Sequence, residues 1–238
     1  MFAPLNPDTL RQGLSAGLPT LKGIVFDMDG TLCEPQTWMF RKMREALGIG
    51  KSVDILDHIE SLLPPNRVAA EESIRAIERE AMASTCTSTL AQMKPQLGLV
   101  PLMKYLTERG ICKAICTRNF DVPVNHLLQT FLPEFTFSPI MTRTFKPNKP
   151  HPACILHIQK QWAVQTSEMM MIGDSIEDMV AGRNAGALTV LLLAQDGHNA
   201  HLADVEYTDC VVTKLDHLIP LLEEGKLTKH KDRTRSKL

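Results

Sequence analysis

The sequence predicts an open α/β fold: a parallel sheet covered by helices, with a small helical unit inserted after the first strand. Three observations predict it. Short apolar runs alternate with longer segments of helical period, two of those runs end in paired aspartates, and residues 36–93 interrupt the alternation with helical pattern alone.

Taken in order, the strands are "GIVF" (23–26), "KAIC" (113–116), "EMMMI" (168–172), "ALTVLLL" (187–193) and "CVV" (210–212), with a weaker run, "FTFSPIM", over 135–141. Such continuous apolar runs, without polar alternation, suit strands buried on both faces. Between them, segments 99–109, 123–132, 152–162, 176–185 and 215–223 place apolar residues three and four apart, and each suits a crossover helix. In the interruption, "TWMFRKMREALG" stops at Gly48 and Gly50, "SVDILDHIESLLPP" stops at Pro64-Pro65, and a third helical pattern runs over 66–93. The expected division is a core of 22–34 and 95–224, a helical unit of 35–94, an N-terminal extension of 1–21 and a tail of 225–238. A unit inserted there hangs over the C-terminal strand ends, where open sheets bind ligands.

Composition excludes several function classes. Lys and Arg number 26 against 27 Asp and Glu, so no overall field draws the chain to nucleic acid or to an anionic membrane. The longest strongly apolar run, "ALTVLLLA", falls well short of the roughly 20 residues that cross a bilayer, and residues 1–21 hold no secretory signal pattern. A soluble protein with neither nucleic-acid nor membrane partners is expected. Six scattered cysteines without a CxxC pair predict free thiols in a reducing compartment. Cys112 and Cys116 bracket a strand, where small thiols pack as hydrophobes.

The candidate site lies in the paired aspartates. Asp27 and Asp29 follow the first strand, and Asp174 with Asp178 follows "MMMIG". In one parallel sheet these strand ends share an edge, so the carboxylates converge. Like charges about 4 Å apart repel by roughly 4 kcal/mol at an effective dielectric near 20, so the cluster needs a counter-ion or must take up protons. Mg²⁺, with phosphate oxygens completing its shell, answers that need. Thr117, Arg118 and Asn119 follow the second strand and offer donors to an anionic oxygen; "KPHP" supplies Lys149, and "FKPN" supplies Lys146 as the other possible cation. Arg41 and Arg44, three apart on a helix, either line a solvated face or reach an anionic substrate tail. Asp196, His198 and His201 lack a further spaced ligand and read as a polar loop.

Together these residues resemble the haloacid dehalogenase-like (HAD) hydrolases. "FDMDGT" resembles the family's first motif, Thr117 its second, Lys149 its third and "GDSIEDM" its fourth, all in the family's order. The motif spacing favours Lys149 over Lys146. The resemblance implies a Rossmann-like core with an all-helical cap of the C1 type, and a phosphatase acting on a small phosphorylated metabolite through an aspartyl-phosphate. In that scheme Asp27 is the nucleophile and Asp29 the general acid and base. Mg²⁺ is held by Asp27, the Asp29 carbonyl and Asp174, with Asp178 orienting its shell, and the substrate phosphoryl group is bound by Thr117, Lys149 and the backbone at Gly30, with Arg118 as a further substrate contact. A phosphomutase of the same family, or a binding protein that keeps the fold without turnover, are the alternatives. The chain closes on Ser236-Lys237-Leu238, the address read by the peroxisomal import receptor. Peroxisomal location is therefore expected, with the cytoplasm as the alternative.

Overall fold

The computed structural model describes residues 2–8, 17–35, 37–82 and 93–225. Six parallel strands form one sheet: β1 (Gly23–Phe26), β2 (Cys112–Cys116), β3 (Ile140–Met141), β4 (Met169–Gly173), β5 (Leu188–Leu192) and β6 (Cys210–Val212), in the order β3-β2-β1-β4-β5-β6. The chain builds outward from β1 in one direction and then from β4 in the other. Their shared boundary is where an open sheet leaves a crevice at its C-terminal edge.

Every residue of β1 and β4 is buried, which explains why these strands read as unbroken apolar runs. Alternate residues serve opposite layers. Ile24, Phe26, Ile115, Met170 and Ile172 join one cluster, whereas Val25, Ala114, Cys116, Met169 and Met171 join the other. The numbering of the helices follows the chain. Those of the core are α4 (Leu99–Glu108), α5 (Asp121–Phe131), α6 (Ala153–Trp162), α7 (Ile176–Ala185) and α8 (Leu218–Glu224). Leu99, Leu102, Met103 and Leu106 of α4 form a stripe at spacings of three and four, buried beside Leu218 and Leu222 of α8 in the first cluster. Ile155 and Ile158 of α6 and Ala181 and Ala185 of α7 cover the second.

Among the described residues, three helices occupy the interval after β1: α1 (Thr37–Leu47), α2 (Ile55–Ser61) and α3 (Asn66–Met82). They bury their own apolar cluster, with Met39 and Met43 from α1, Ile59 from α2 and Ile74 and Ile77 from α3, against which Phe120 of the core packs. The chain leaves and returns through a paired neck, where Glu34 N donates to Lys94 O at 2.8 Å and Gln96 N donates to Leu32 O at 3.0 Å. Among the described residues no helix is long and apolar enough to cross a membrane.

Several expectations change. The "FTFSPIM" run yields a strand of only Ile140–Met141. Pro139 has no N–H to give the ladder, and Phe137 turns inward instead, meeting Phe26 edge-to-face at 6.2 Å. Free thiols were expected throughout, yet Cys116 of β2 and Cys154 of α6 are joined as a disulfide, bridging the sheet and the helix packed on it; Cys33, Cys112 and Cys210 are free. The extension is partly integral to the core: Phe2 is 1% exposed, Leu5 N donates to Leu222 O at 2.9 Å, and Ala3 N donates to Pro19 O at 2.9 Å. Residues 83–92 of the third helical pattern, and the tail with Ser236-Lys237-Leu238, lie outside the described residues.

The burial of Phe2 sets a test. Phe2→Ala is expected to lower unfolding free energy by about 3 kcal/mol, read from urea denaturation followed by circular dichroism. Unchanged stability would place residues 2–5 outside the cooperative core.

Candidate active site

Strand register brings the predicted residues together. Phe26 pairs with both Ile115 and Ile172, so Asp27 emerges level with the last residues of β2 and β4. Asp27 N donates to Ile172 O at 2.9 Å and Thr117 N donates to Met141 O at 2.9 Å, which continues the ladder one residue past each strand. Asp174 follows β4 directly. One side-chain oxygen from each of Asp27, Asp174 and Asp178 lies within 4.8 Å of the other two.

Lys149 stands among them. Its ammonium donates to Asp27 Oδ1 at 2.6 Å and to Asp178 Oδ1 at 2.6 Å, and the residue is 6% exposed. Burial alone would lower its pKa, but Asp178 and Asp27 outweigh that and hold it above the ordinary lysine value. The other candidate, Lys146, pairs instead with Glu60 of α2. One ammonium does not balance three carboxylates. Burial pushes Asp27 up to about 7, with Lys149 opposing and Asp178 adding to the rise. Burial and then Asp27 push Asp174 up to about 8. A set of crowded oxygen donors short of positive charge fits a hard divalent cation.

Local sequence explains how the groups can crowd. Ser175 and Asp178 form a capping box at the start of α7: the Ser175 hydroxyl donates to Asp178 Oδ2 at 2.6 Å, and the Ser175 N–H donates to the same oxygen at 3.2 Å. Asp178 thus caps its helix with one oxygen and holds Lys149 with the other. Glycine is required at two places. Gly30 has φ of +81°, and a Cβ there would stand 2.1 Å from Asp174 Oδ2; at Gly173 a Cβ would stand 2.3 Å from the Asp178 carboxylate.

The Asp29 side chain lies outside this carboxylate group. Its Oδ2 accepts from Asn119 Nδ2 at 3.4 Å and its Oδ1 from the Cys33 thiol at 3.7 Å. Burial and the neighbouring carboxylates raise the Cys33 thiol well above its ordinary value, so it remains a donor. Thr117 is buried, and its Oγ1 accepts from Asn119 N at 3.1 Å, which leaves the hydroxyl hydrogen to donate. Asp196 and His198 pair at the surface, Nδ1 to Oδ1 at 2.6 Å, and neither belongs to the aspartate group.

A cavity of ≈ 380 Å³ opens above these groups, floored by Asp27, Asp29, Thr117, Lys149 and Asp174 and walled on one side by α1, α2 and α3. Arg118 lines it and joins two elements, with Nη2 to Asp54 Oδ2 at 2.5 Å and Nη1 to Glu177 Oε1 at 3.5 Å. Asp54 also caps α2 through its other oxygen, accepting from Leu56 N at 2.9 Å and Asp57 N at 3.0 Å. Partial burial opposes it, yet Arg118 and these amides hold Asp54 below the usual carboxylate range. Arg44 lines the cavity, whereas Arg41 is exposed. Sequence reasoning missed Arg143 and Glu78, an ion pair in the cavity wall, and the Phe120 ring 3.4 Å from the Arg143 guanidinium carbon. No local pattern marks either residue. The pair exists because α3 is laid against the loop after β3.

Comparison with known proteins agrees with the geometry. A family model described as haloacid dehalogenase-like hydrolase matches residues 21–186. The uncharacterized hydrolase YOR131C of Saccharomyces cerevisiae is 43% identical over 219 residues, covering 90% of this chain and 96% of that protein. Phosphoglycolate phosphatase 1 of Pseudomonas aeruginosa is 24% identical over 226 residues, 87% of this chain and 81% of that one. The crystal structure of a hydrolase from Pseudomonas syringae shares the fold at TM-score 0.67 and 21% identity, over 85% of this chain and 98% of its own. With its aspartates, threonine and lysine gathered at one sheet edge and its family model running from β1 through β4 and α7, the chain belongs to the haloacid dehalogenase-like hydrolases.

Proposed function

We propose that this chain is a Mg²⁺-dependent phosphatase that hydrolyses a small phosphorylated metabolite through an aspartyl-phosphate on Asp27. The observation that carries the reading is the buried Lys149 ammonium 2.6 Å from Asp27, beside Asp174 at the floor of the cavity, with the Asp29 side chain set apart from that group.

An Asp27 oxygen attacks phosphorus and forms the P–O bond of the acyl phosphate while the bond to the ester oxygen breaks. Asp29, entering protonated, gives its proton to that leaving oxygen, so an alcohol departs. Water then attacks the same phosphorus, Asp29 takes its proton, and Asp27 is released as the free carboxylate with inorganic phosphate. Lys149 and the Thr117 hydroxyl would bind the equatorial phosphoryl oxygens as they gather charge, and donors fixed beforehand need no reorganisation as that charge develops. Asp27, Asp174 and the Asp29 carbonyl would hold Mg²⁺, with Asp178 orienting its shell; bound there, the cation neutralises phosphoryl charge that Lys149 alone does not. The cavity volume admits a small ester. Kinship with phosphoglycolate phosphatases makes a short phosphorylated acid the first substrate to offer.

Phosphate release by the purified protein with Mg²⁺, screened over phosphorylated acids, polyols, sugars and nucleotides, tests the reading. Release is expected without a bisphosphate activator, and Asp27→Asn is expected to lower it by more than about a thousandfold. Turnover undiminished in Asp27→Asn excludes the covalent route, and an inert wild type across the panel favours a binding role. The metal has its own test. Asp174→Asn is expected to weaken Mg²⁺ binding to the metal-free protein by about tenfold or more, read by calorimetry; equal affinity would remove Asp174 from the ligand set.

A further inference from the structure

We propose that Asn119 is a positioning residue, whose side-chain amide aims the Asp29 carboxyl at the leaving oxygen and keeps it apart from the Lys149 group; this rests on the phosphatase reading above. The sequence offers Asn119 as a donor to an anionic oxygen, yet the structure turns its amide to the chain itself. Nδ2 donates to Asp29 Oδ2 at 3.4 Å and to Met28 Sδ at 3.7 Å. An amide nitrogen carries two hydrogens, and both are spent here on the two residues that follow Asp27.

The amide has little freedom to point elsewhere. Asn119 is buried, its N–H donates to Thr117 Oγ1 at 3.1 Å, and its carbonyl accepts from Arg143 N at 2.9 Å. The next residue, Phe120, packs against the apolar cluster of α1 to α3 and lies under the Arg143 guanidinium. With both backbone groups bonded and its neighbour anchored, the side chain keeps only its own two torsions. A donor held in this way can orient a partner with little further loss of freedom.

Asp29 needs such a partner. It lies two residues from Asp27, beside a buried ammonium that attracts any carboxylate within reach. Asp27 and Asp178 already occupy that ammonium at 2.6 Å each. A carboxyl that swung toward it would crowd a group already short of positive charge, and the ester oxygen would lose its proton donor. A donor on each oxygen opposes that swing: Asn119 at Oδ2, and the buried Cys33 thiol at Oδ1, 3.7 Å away. Both are neutral, so they orient the carboxyl without joining it to the cation. The Asn119 contact is long, and hydrogen bonds of catalytic groups often tighten only once substrate is bound.

The choice of leaving group separates proton delivery from phosphate binding. The alcohol released from an alkyl ester, 2-phosphoglycolate or the one hydrolysed fastest in the screen above, needs a proton as its bond to phosphorus breaks. Acetate released from acetyl phosphate does not. With Mg²⁺ present, Asn119→Ala is expected to lower kcat/KM for the alkyl ester by about tenfold to a hundredfold, chiefly through kcat, and for acetyl phosphate by less than about threefold. Asn119→Leu, which fills the space of the amide without a donor, should show the same selective loss. An equal loss on both substrates, or no loss on either, overturns the positioning role while leaving hydrolysis in place. A crystal structure of the Asn119→Ala protein reads the contact without turnover: the Asp29 carboxyl is expected to leave its place beside residue 119 and turn toward Lys149. A carboxyl that has not moved overturns the role. A displaced carboxyl, found together with a wild type that hydrolyses neither substrate, would refute the phosphatase reading and sustain Asn119 as the group that holds Asp29.

Discussion

One buried ammonium makes the arrangement of this sheet edge possible. Lys149 bonds Asp27 and Asp178 at 2.6 Å each, and without it three carboxylates drawn from two strand ends would face one another at the floor of the cavity with no cation among them. Breaking a buried ion pair by removing one partner leaves an uncompensated charge, which is far costlier than losing a surface pair. The same contact reaches into secondary structure, because Asp178 spends its second oxygen on the start of α7. Cation, nucleophile candidate and helix cap are therefore one unit. Gly173 follows from it as well, since a side chain there would occupy the space of the Asp178 carboxylate, and Gly30 leaves the room that Asp174 takes beside the unit.

This part of the molecule was legible in the sequence for a physical reason. Strands buried on both faces must be continuous apolar runs, and the first polar residue after each run must lie at the sheet edge. Asp27, Thr117 and Asp174 are those residues, so their convergence follows from parallel pairing alone. The capping box at Ser175 and Asp178 is likewise a local pattern.

What the sequence hid was pairing between distant segments. Glu78 lies in a helix with Glu71, Glu72 and Glu80, and nothing in the spacing distinguishes the one that is buried; only the placement of α3 beside the β3 loop does so. Phe2 sits in a segment read as an extension because burial against α8 depends on a contact more than two hundred residues away in the chain. The disulfide between Cys116 and Cys154 is hidden in the same way, since two cysteines inside apolar segments pack equally well as separate thiols. The short β3 was overread because phenylalanines that serve the core also raise strand propensity.

The seam between the helical insert and the core carries a consistent polarity. Arg118 meets Asp54, Arg143 meets Glu78 and Lys146 meets Glu60, each time with the cation on the core and the carboxylate on the insert. These pairs differ in weight. Lys146 and Glu60 are both about half exposed and contribute little in water, whereas Glu78 and Arg143 are buried, and burial raises the Glu78 pKa against the pull of Arg143. The polarity matters for a site that must admit an anion. An insert that brought unpaired carboxylates over Asp27 and Asp174 would repel a phosphate ester before it reached the floor. Because core cations absorb the charge of Asp54 and Glu78, the wall facing the aspartates is close to neutral apart from Arg44. The insert can therefore stand over the aspartate group without adding to its negative field.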